Sequence, residues 1–303
     1  MAFDFNHIKS VEFGVCLDTS EGESYRRVPC DQGVQDALKE MLAETMAALT
    51  KDGTEIAEFS PAEKYGGNER LRVPLNSDLV QKHHDVFTTG DFDTDTHGLD
   101  EPGALISYFA IFHDRHGEKA MGFRRAAQFK GVVKKHLITL INDALQLVPD
   151  KLFKLDTDFD FVIFEDQILV WRPSGFIFTA DMDAHIAACA AANVDHISKD
   201  VTCVDFTGLR DFVSKHKLAM RLVAAIKSRD DLVKISLNRL RSSCRANKVE
   251  FTTKNGKLIP KEGSETDFLL LLDRRLYTLE LIERHPETYQ ASSRHLARPA
   301  ANP

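Results

Sequence analysis

The sequence predicts an α+β fold. An acidic N-terminal α/β region is followed by an antiparallel β-meander with a helical, basic C-terminal region containing a helix plus a β-hairpin. Three patterns predict this. Val11, Phe13, Val15 and Leu17 alternate with Glu12, Gly14 and Cys16, the period of a strand. Short apolar runs at 159–164, 167–171 and 175–178 are separated by turn residues, which reads as a meander. From about residue 181 onward, apolar residues recur every three or four positions, the period of helices.

Taken in order, the strand at 11–17 leads to a helix carrying Val34, Leu38, Met41, Leu42, Thr45 and Leu49 on one face, with Asp31 as N-cap and Gly53 as stop. Residues 53–103 are turn-rich and acidic, with a short helix at 77–87. "ALISYFAIFHD" (104–114) is apolar on both faces, as a central strand is, and "EKAMGFR" is its antiparallel partner. A long helix is expected over 129–148, ended by Pro149, where the division into regions 1–149 and 150–303 falls. The meander follows, then an Ala-rich helix at 181–196, helices at 206–227 and 229–247, a hairpin around Asn255-Gly256, and a helix at 264–273.

The 303 residues are 43% hydrophobic and 28% charged, enough for two ordinary soluble domains. Neither a secretory leader nor a bilayer-spanning run is visible, and Cys16, Cys30, Cys189, Cys203 and Cys244 form no C-x-x-C pair. A reducing cytoplasm is the expected setting, with the cysteines as small buried hydrophobes.

Charge is unevenly placed. Residues 1–101 hold 9 Lys/Arg against 21 Asp/Glu, whereas 115–135 hold 7 against 1 and 210–261 hold 14 against 4. On a helix over 229–248, Val233, Leu237, Leu240 and Cys244 make a buried stripe. Lys234, Asn238, Arg241, Arg245 and Lys248 make an acid-free stripe beside it. A face of one sign repels itself, and a polyanion relieves that repulsion. Lys254 and Lys257 flank the tip of the next hairpin, and Arg124, Arg125, Lys130 and Lys134 form a second basic cluster. Duplex DNA is the partner this pattern suggests, with the cations on phosphates and Asn238 able to read a base edge. Two alternatives stay open: a metal-dependent nuclease using Asp158, Asp160, Glu165 and Asp166, and a scaffold whose basic face binds an acidic protein. The nuclease lacks a carboxylate-x-Lys element. "DFDTDTHGLDEP" (91–102) begins like a calcium loop, but has Thr96 where Gly is needed and Pro102 where Glu is needed. No catalytic residue, metal site or cofactor is assigned.

"LFKLDTDFDFVIFEDQILVWRPSGFIFT", "VTCVDFTGLRDFVSKHKLAMRLVAAIKS", the basic helix and hairpin, and "RRLYTLELIERHPETYQASSRHL" together resemble the KwaB family, the cytoplasmic subunits of the Kiwa anti-phage defence system. The resemblance covers about residues 100–298 and rests on the order of apolar positions and turns. It departs at Ile177, where an acid is expected after Phe176. The resemblance implies DNA binding, self-association as a dimer or tetramer, and recruitment to the inner membrane by a small membrane protein, KwaA. It supplies no catalytic residues.

Overall fold

In the computed structural model the described residues are 2–51, 56–65, 69–90, 92–94, 105–126, 138–141, 144–147 and 155–294. They are mixed α+β, as expected. Two compact units emerge: Met1–Glu58 with Gly67–Met182, and Phe59–Gly66 with Asp183–Pro303. The division expected at Pro149 thus falls inside the first unit, and the meander strands belong to the N-terminal sheet.

The first unit contains β1 (Ile8–Thr19), β2 (Gly22–Val28), α1 (Gln32–Leu49), β3 (Ile56–Glu58), β4 (Arg70–Pro74), α2 (Gln81–Thr89), β5 (Leu105–Asp114), β6 (Lys119–Arg125), β7 (Ile138–Ile141), β8 (Ala144–Leu147), β9 (Phe161–Phe164), β10 (Gln167–Val170) and α3 (Pro173–Thr179). Eight strands form one sheet in the order β2-β1-β5-β6-β9-β10-β4-β3, antiparallel except for the β3–β4 pair. Asp31 caps α1 as expected, its carboxylate accepting from the Val34 N–H at 2.9 Å. Leu38, Met41, Leu42 and Leu49 of α1 share a core with Val11, Phe13, Val15, Tyr108, Ala110 and Phe112. Phe123, Phe161 and Phe176 cluster with His83 of α2. The sheet is therefore buried on both faces, which is why 104–114 lacks polar alternation.

Three expectations are corrected here. Where the helix was expected over 129–148, Ile138–Ile141 and Ala144–Leu147 form the antiparallel pair β7–β8; the rest of that span lies outside the described residues. Ile138, Thr139 and Ile141 favour extended backbone, and the apolar residues of this stretch fit either period. The third meander strand is instead α3. Pro173 occupies its first turn, Phe176 is buried against Phe161, and Thr179 Oγ1 donates to the Gly175 carbonyl. Four apolar residues are too few to fix a period. Finally, β3 and β4 lie in the 53–103 stretch expected as turns, and β4 pairs with β10; β2 was not expected. The stretch resembling a calcium loop lies largely outside the described residues, as does Gly53.

His83 is fully buried with neither ring nitrogen hydrogen-bonded, and Phe123, Phe161 and Phe176 surround it. Burial, reinforced by Lys82, lowers its pKa from 6.5 to about 3. The sign follows directly. The unfolded chain takes up a proton below pH 6.5 and the folded one does not, so stability is present above pH 6.5 and lost as pH falls toward 3. About 2 kcal/mol should be lost between pH 7 and pH 5 through this residue. Urea midpoints measured at the two pH values should show that loss, and His83→Leu should flatten it. An identical pH slope in the variant would assign the acid sensitivity elsewhere.

The second unit contains α4 (Met182–Asp200), α5 (Thr207–Val213), α6 (Lys217–Lys227), α7 (Leu237–Ala246), β11 (Phe251–Lys254), β12 (Lys257–Pro260), α8 (Glu265–Leu272), β13 (Leu276–Ile282) and β14 (His285–Gln290). Ile197, Val213, Leu222, Ile226, Leu240, Cys244, Leu258 and Phe268 contribute to one apolar core. The expected 206–227 helix is two helices, broken at 214–216. The β13–β14 hairpin was not expected. Arg275, almost wholly buried, donates to the carbonyls of Ala62 at 2.6 Å and Ala291 at 3.1 Å. Beside it burial raises the Asp273 carboxyl to about 6, against the pull of Arg294, Arg275 and Arg229. These contacts join the 59–66 segment and the chain beyond β14 to the helical core.

Candidate nucleic-acid interface

The expected helix over 229–248 is shorter. Residues 232–234 form a 3-10 turn, Ile235 is extended, and Ser236 caps α7 by accepting from the Arg239 N–H at 3.4 Å. The interruption shifts the buried phase by one residue before the helix. Leu232 is buried, and Val233, expected in the core, is 67% exposed. Within α7 the expected phase holds: Leu240 and Cys244 are buried, Leu237 is half-buried, and Asn238 and Arg245 are exposed with Arg241 half-exposed beside them.

Lys248 is not on the helix. It takes φ 57°, and its N–H donates to the Arg245 carbonyl at 3.3 Å while the Val249 N–H donates to the Cys244 carbonyl at 2.9 Å. This is a Schellman stop with lysine where glycine is usual. Buried Val249 supplies the apolar contact that holds the turn. Lys248 Nζ donates to the Pro286 carbonyl at 3.4 Å.

The β11–β12 hairpin forms as expected. Asn255 and Gly256, at φ 51° and 76°, make its two-residue turn, and Lys254 lies opposite Lys257. It is tied down one pair from its turn by buried Leu258, whose N–H donates to the Cys203 carbonyl at 2.9 Å and whose carbonyl accepts from the Asp205 N–H at 2.9 Å. Asp205 is the acid near the tip. Hydrogen bonds from Thr207, then Lys257 and Lys254, hold its carboxyl below the usual value.

Among the described residues, Lys234, Arg241, Arg245, Lys254 and Lys257 have no carboxylate within ion-pair distance. Neighbouring cations differ: Lys261 pairs with Glu250 at 3.0 Å, Arg221 with Asp183 at 2.6 Å, and Arg229 with Asp231 at 2.6 Å. Arg239 joins the unpaired group on the other flank of α7. The stripe reading missed it because it lies off the 238–241–245 row, although its exposure and lack of an acid partner are shared.

The second basic cluster is not assembled the same way. Arg124 is enclosed by carboxylates: its Nε donates to Asp156 at 3.1 Å, and its Nη1 donates to Asp158 at 3.2 Å and Asp160 at 2.7 Å. That geometry removes it from a set of phosphate ligands. Arg125 is exposed, with its guanidinium 3.7 Å from the Phe178 ring centroid. Lys130 and Lys134 lie outside the described residues. The acids considered for a nuclease do not converge either. Asp158 and Asp160 neutralise Arg124, while Glu165 and Asp166 form the turn at the far end of the β9–β10 pair. Among the described residues no three His, Cys, Asp or Glu side chains are grouped to hold a metal ion.

Fold and face together define a mixed α+β protein of two units that presents a short basic helix beside a lysine-tipped hairpin. The family model described as Kiwa protein KwaB-like matches residues 106–281, more than half of the chain, so the chain belongs to the KwaB-like family. Its place is therefore in Kiwa anti-phage defence. No curated protein matched the chain, and no solved structure matched it. Among the described residues no helix is long and apolar enough to cross a membrane.

Proposed function

We propose that this chain is the DNA-binding effector subunit of its defence system and acts on phage DNA without cutting it. The observation that carries this reading is the set of cations with no ion-pair partner on α7, on the turn before it and at the β11–β12 tip, where Asp205 is the acid near the lysines. Lys234, Arg241, Arg245, Lys254 and Lys257 contact phosphates, and Asn238 lies between them with both a donor and an acceptor for a base edge. Lys248 contributes from the helix stop. A KwaA-like membrane protein recruits the chain from the cytoplasm to the inner membrane, and the chain self-associates; both statements rest on the family.

The test is a gel-shift titration with unrelated duplexes over a salt series, with and without Mg²⁺ or Mn²⁺. About five phosphate contacts give a log–log salt slope near −4.5. The duplex is expected to remain intact in both metals. Cleavage that Glu165→Ala abolishes, with the fold kept, would replace this reading with the nuclease. No shift at low salt would favour a scaffold that binds an acidic protein.

A further inference from the structure

An α-helix turns about 100° per residue, which places the side chains of α7 around its axis. Leu240 and Cys244 mark the buried side. Ser242 lies directly opposite them, on the outermost ridge, and is exposed. Arg245 lies about 60° to one side of that ridge, with Arg241 about 40° further round and half-exposed. Arg239 lies about 60° to the other side and is exposed. Asn238 fills the interval between Ser242 and Arg245. Cations therefore flank the outer ridge on both sides, the ridge itself carries a small neutral residue, and α7 contains no acid.

The ridge also has hydrogen-bonding capacity to spare. A serine on a helix often returns its hydroxyl to a carbonyl three or four residues back, as Ser198 does to Asp195 at 2.8 Å. Among the described residues neither Ser242 nor Asn238 has such a partner. A helix lying along one phosphate backbone needs a single row of cations, which Arg241 and Arg245 supply; Arg239 then has no task. Two basic flanks fit two backbones. The major groove is about 12 Å wide with phosphates along both edges, and a helix with its side chains is about 10–12 Å across. A bulky leading residue would hold the helix away from the base edges. Serine lets it approach, and its hydroxyl bonds to any base, so entry demands little of the sequence.

We propose that α7 enters the major groove with Ser242 leading, Arg239 on the phosphates of one strand and Arg241 with Arg245 on those of the other. This rests on the DNA-binding reading above and adds its mode: Ser242 is the positioning residue that sets how deeply the helix enters.

Gel shifts with two duplexes of one sequence test it. In one of them each cytosine carries a glucosylated 5-hydroxymethyl group, which fills the major groove and leaves the phosphates unchanged. The wild-type chain should bind the glucosylated duplex at least tenfold more weakly. Ser242→Trp should weaken binding to the plain duplex at least tenfold with its thermal melt kept, while Ser242→Ala stays within about twofold. Arg239→Ala should make the salt slope of the plain duplex shallower by about 0.9, one phosphate contact. Equal affinity of the wild type for both duplexes overturns groove entry and leaves DNA binding standing, and this comparison needs no variant to fold. A folded Ser242→Trp chain that binds like the wild type also overturns it. No binding to the plain duplex at low salt overturns the DNA-binding reading and this mode together.

Discussion

Arg241→Ala combined with Arg245→Ala is expected to weaken duplex binding about 30-fold near physiological salt, two phosphate contacts each contributing about 0.9 to the log–log slope. The slope itself should become shallower by about 1.8. The loss should be similar for unrelated duplexes, because phosphate contacts carry no sequence information. Neither side chain belongs to the buried Leu240–Cys244 row, so stability should change by less than about 0.5 kcal/mol per site. Salt-series gel shifts beside a thermal melt check both statements. Unchanged affinity with unchanged fold would show that α7 presents only a solvated face. Dissociation of an oligomer, with the salt slope preserved, would assign the arginines to a protein contact.

Asp160→Ala is expected to cost the first unit about 3 kcal/mol, the range for removing one partner from a buried charged network. Asp160 is nearly fully buried. It accepts from the Arg125 N–H at 2.7 Å and from Arg124 Nη1 at 2.7 Å. Burial pushes its carboxyl above the ordinary value, opposed by the Arg125 N–H, Arg124 and Arg172. Removing the side chain orphans a backbone donor and leaves Arg124 with two acids in place of three. It also opens space against Gly175, where a Cβ would sit only 2.1 Å from the carboxylate. The melting transition should fall by about 6–12 °C. Asp160→Asn keeps an acceptor and should lose less. A change under about 2 °C for the alanine variant would mean that Asp156 and Asp158 alone hold Arg124.

The same residues show how far the sequence could be read. Asp158 and Asp160 read from the sequence as acids near a strand that a nuclease could use, and Arg124 reads as a phosphate ligand. The structure joins them instead. β6 and β9 are neighbours in the sheet, and no local pattern records which strands pair. Local periodicity failed where segments were short. The α3 segment has too few apolar residues to distinguish helix from strand. At 229–248 the two stripes concealed a break at Ile235, and Ser236, an available N-cap, was the overlooked signal. The β13 strand was legible in principle, since Tyr277, Leu279 and Leu281 alternate with Thr278 and Glu280.

What the sequence determined by itself was local chemistry: the Asp31 cap, the two-sided apolar β5, the Asn255-Gly256 hairpin, the Leu240–Cys244 row and the acid-free character of α7. Each depends on residues within a few positions of one another, where backbone preference and side-chain period act directly. Tertiary structure alone decided which charges remain available. Arg124 and Arg241 are both basic residues in basic stretches, yet one is neutralised by three aspartates brought across the sheet and the other meets no carboxylate. The difference arises because ion pairing depends on distance in space, and folding sets that distance through contacts between segments far apart in the chain.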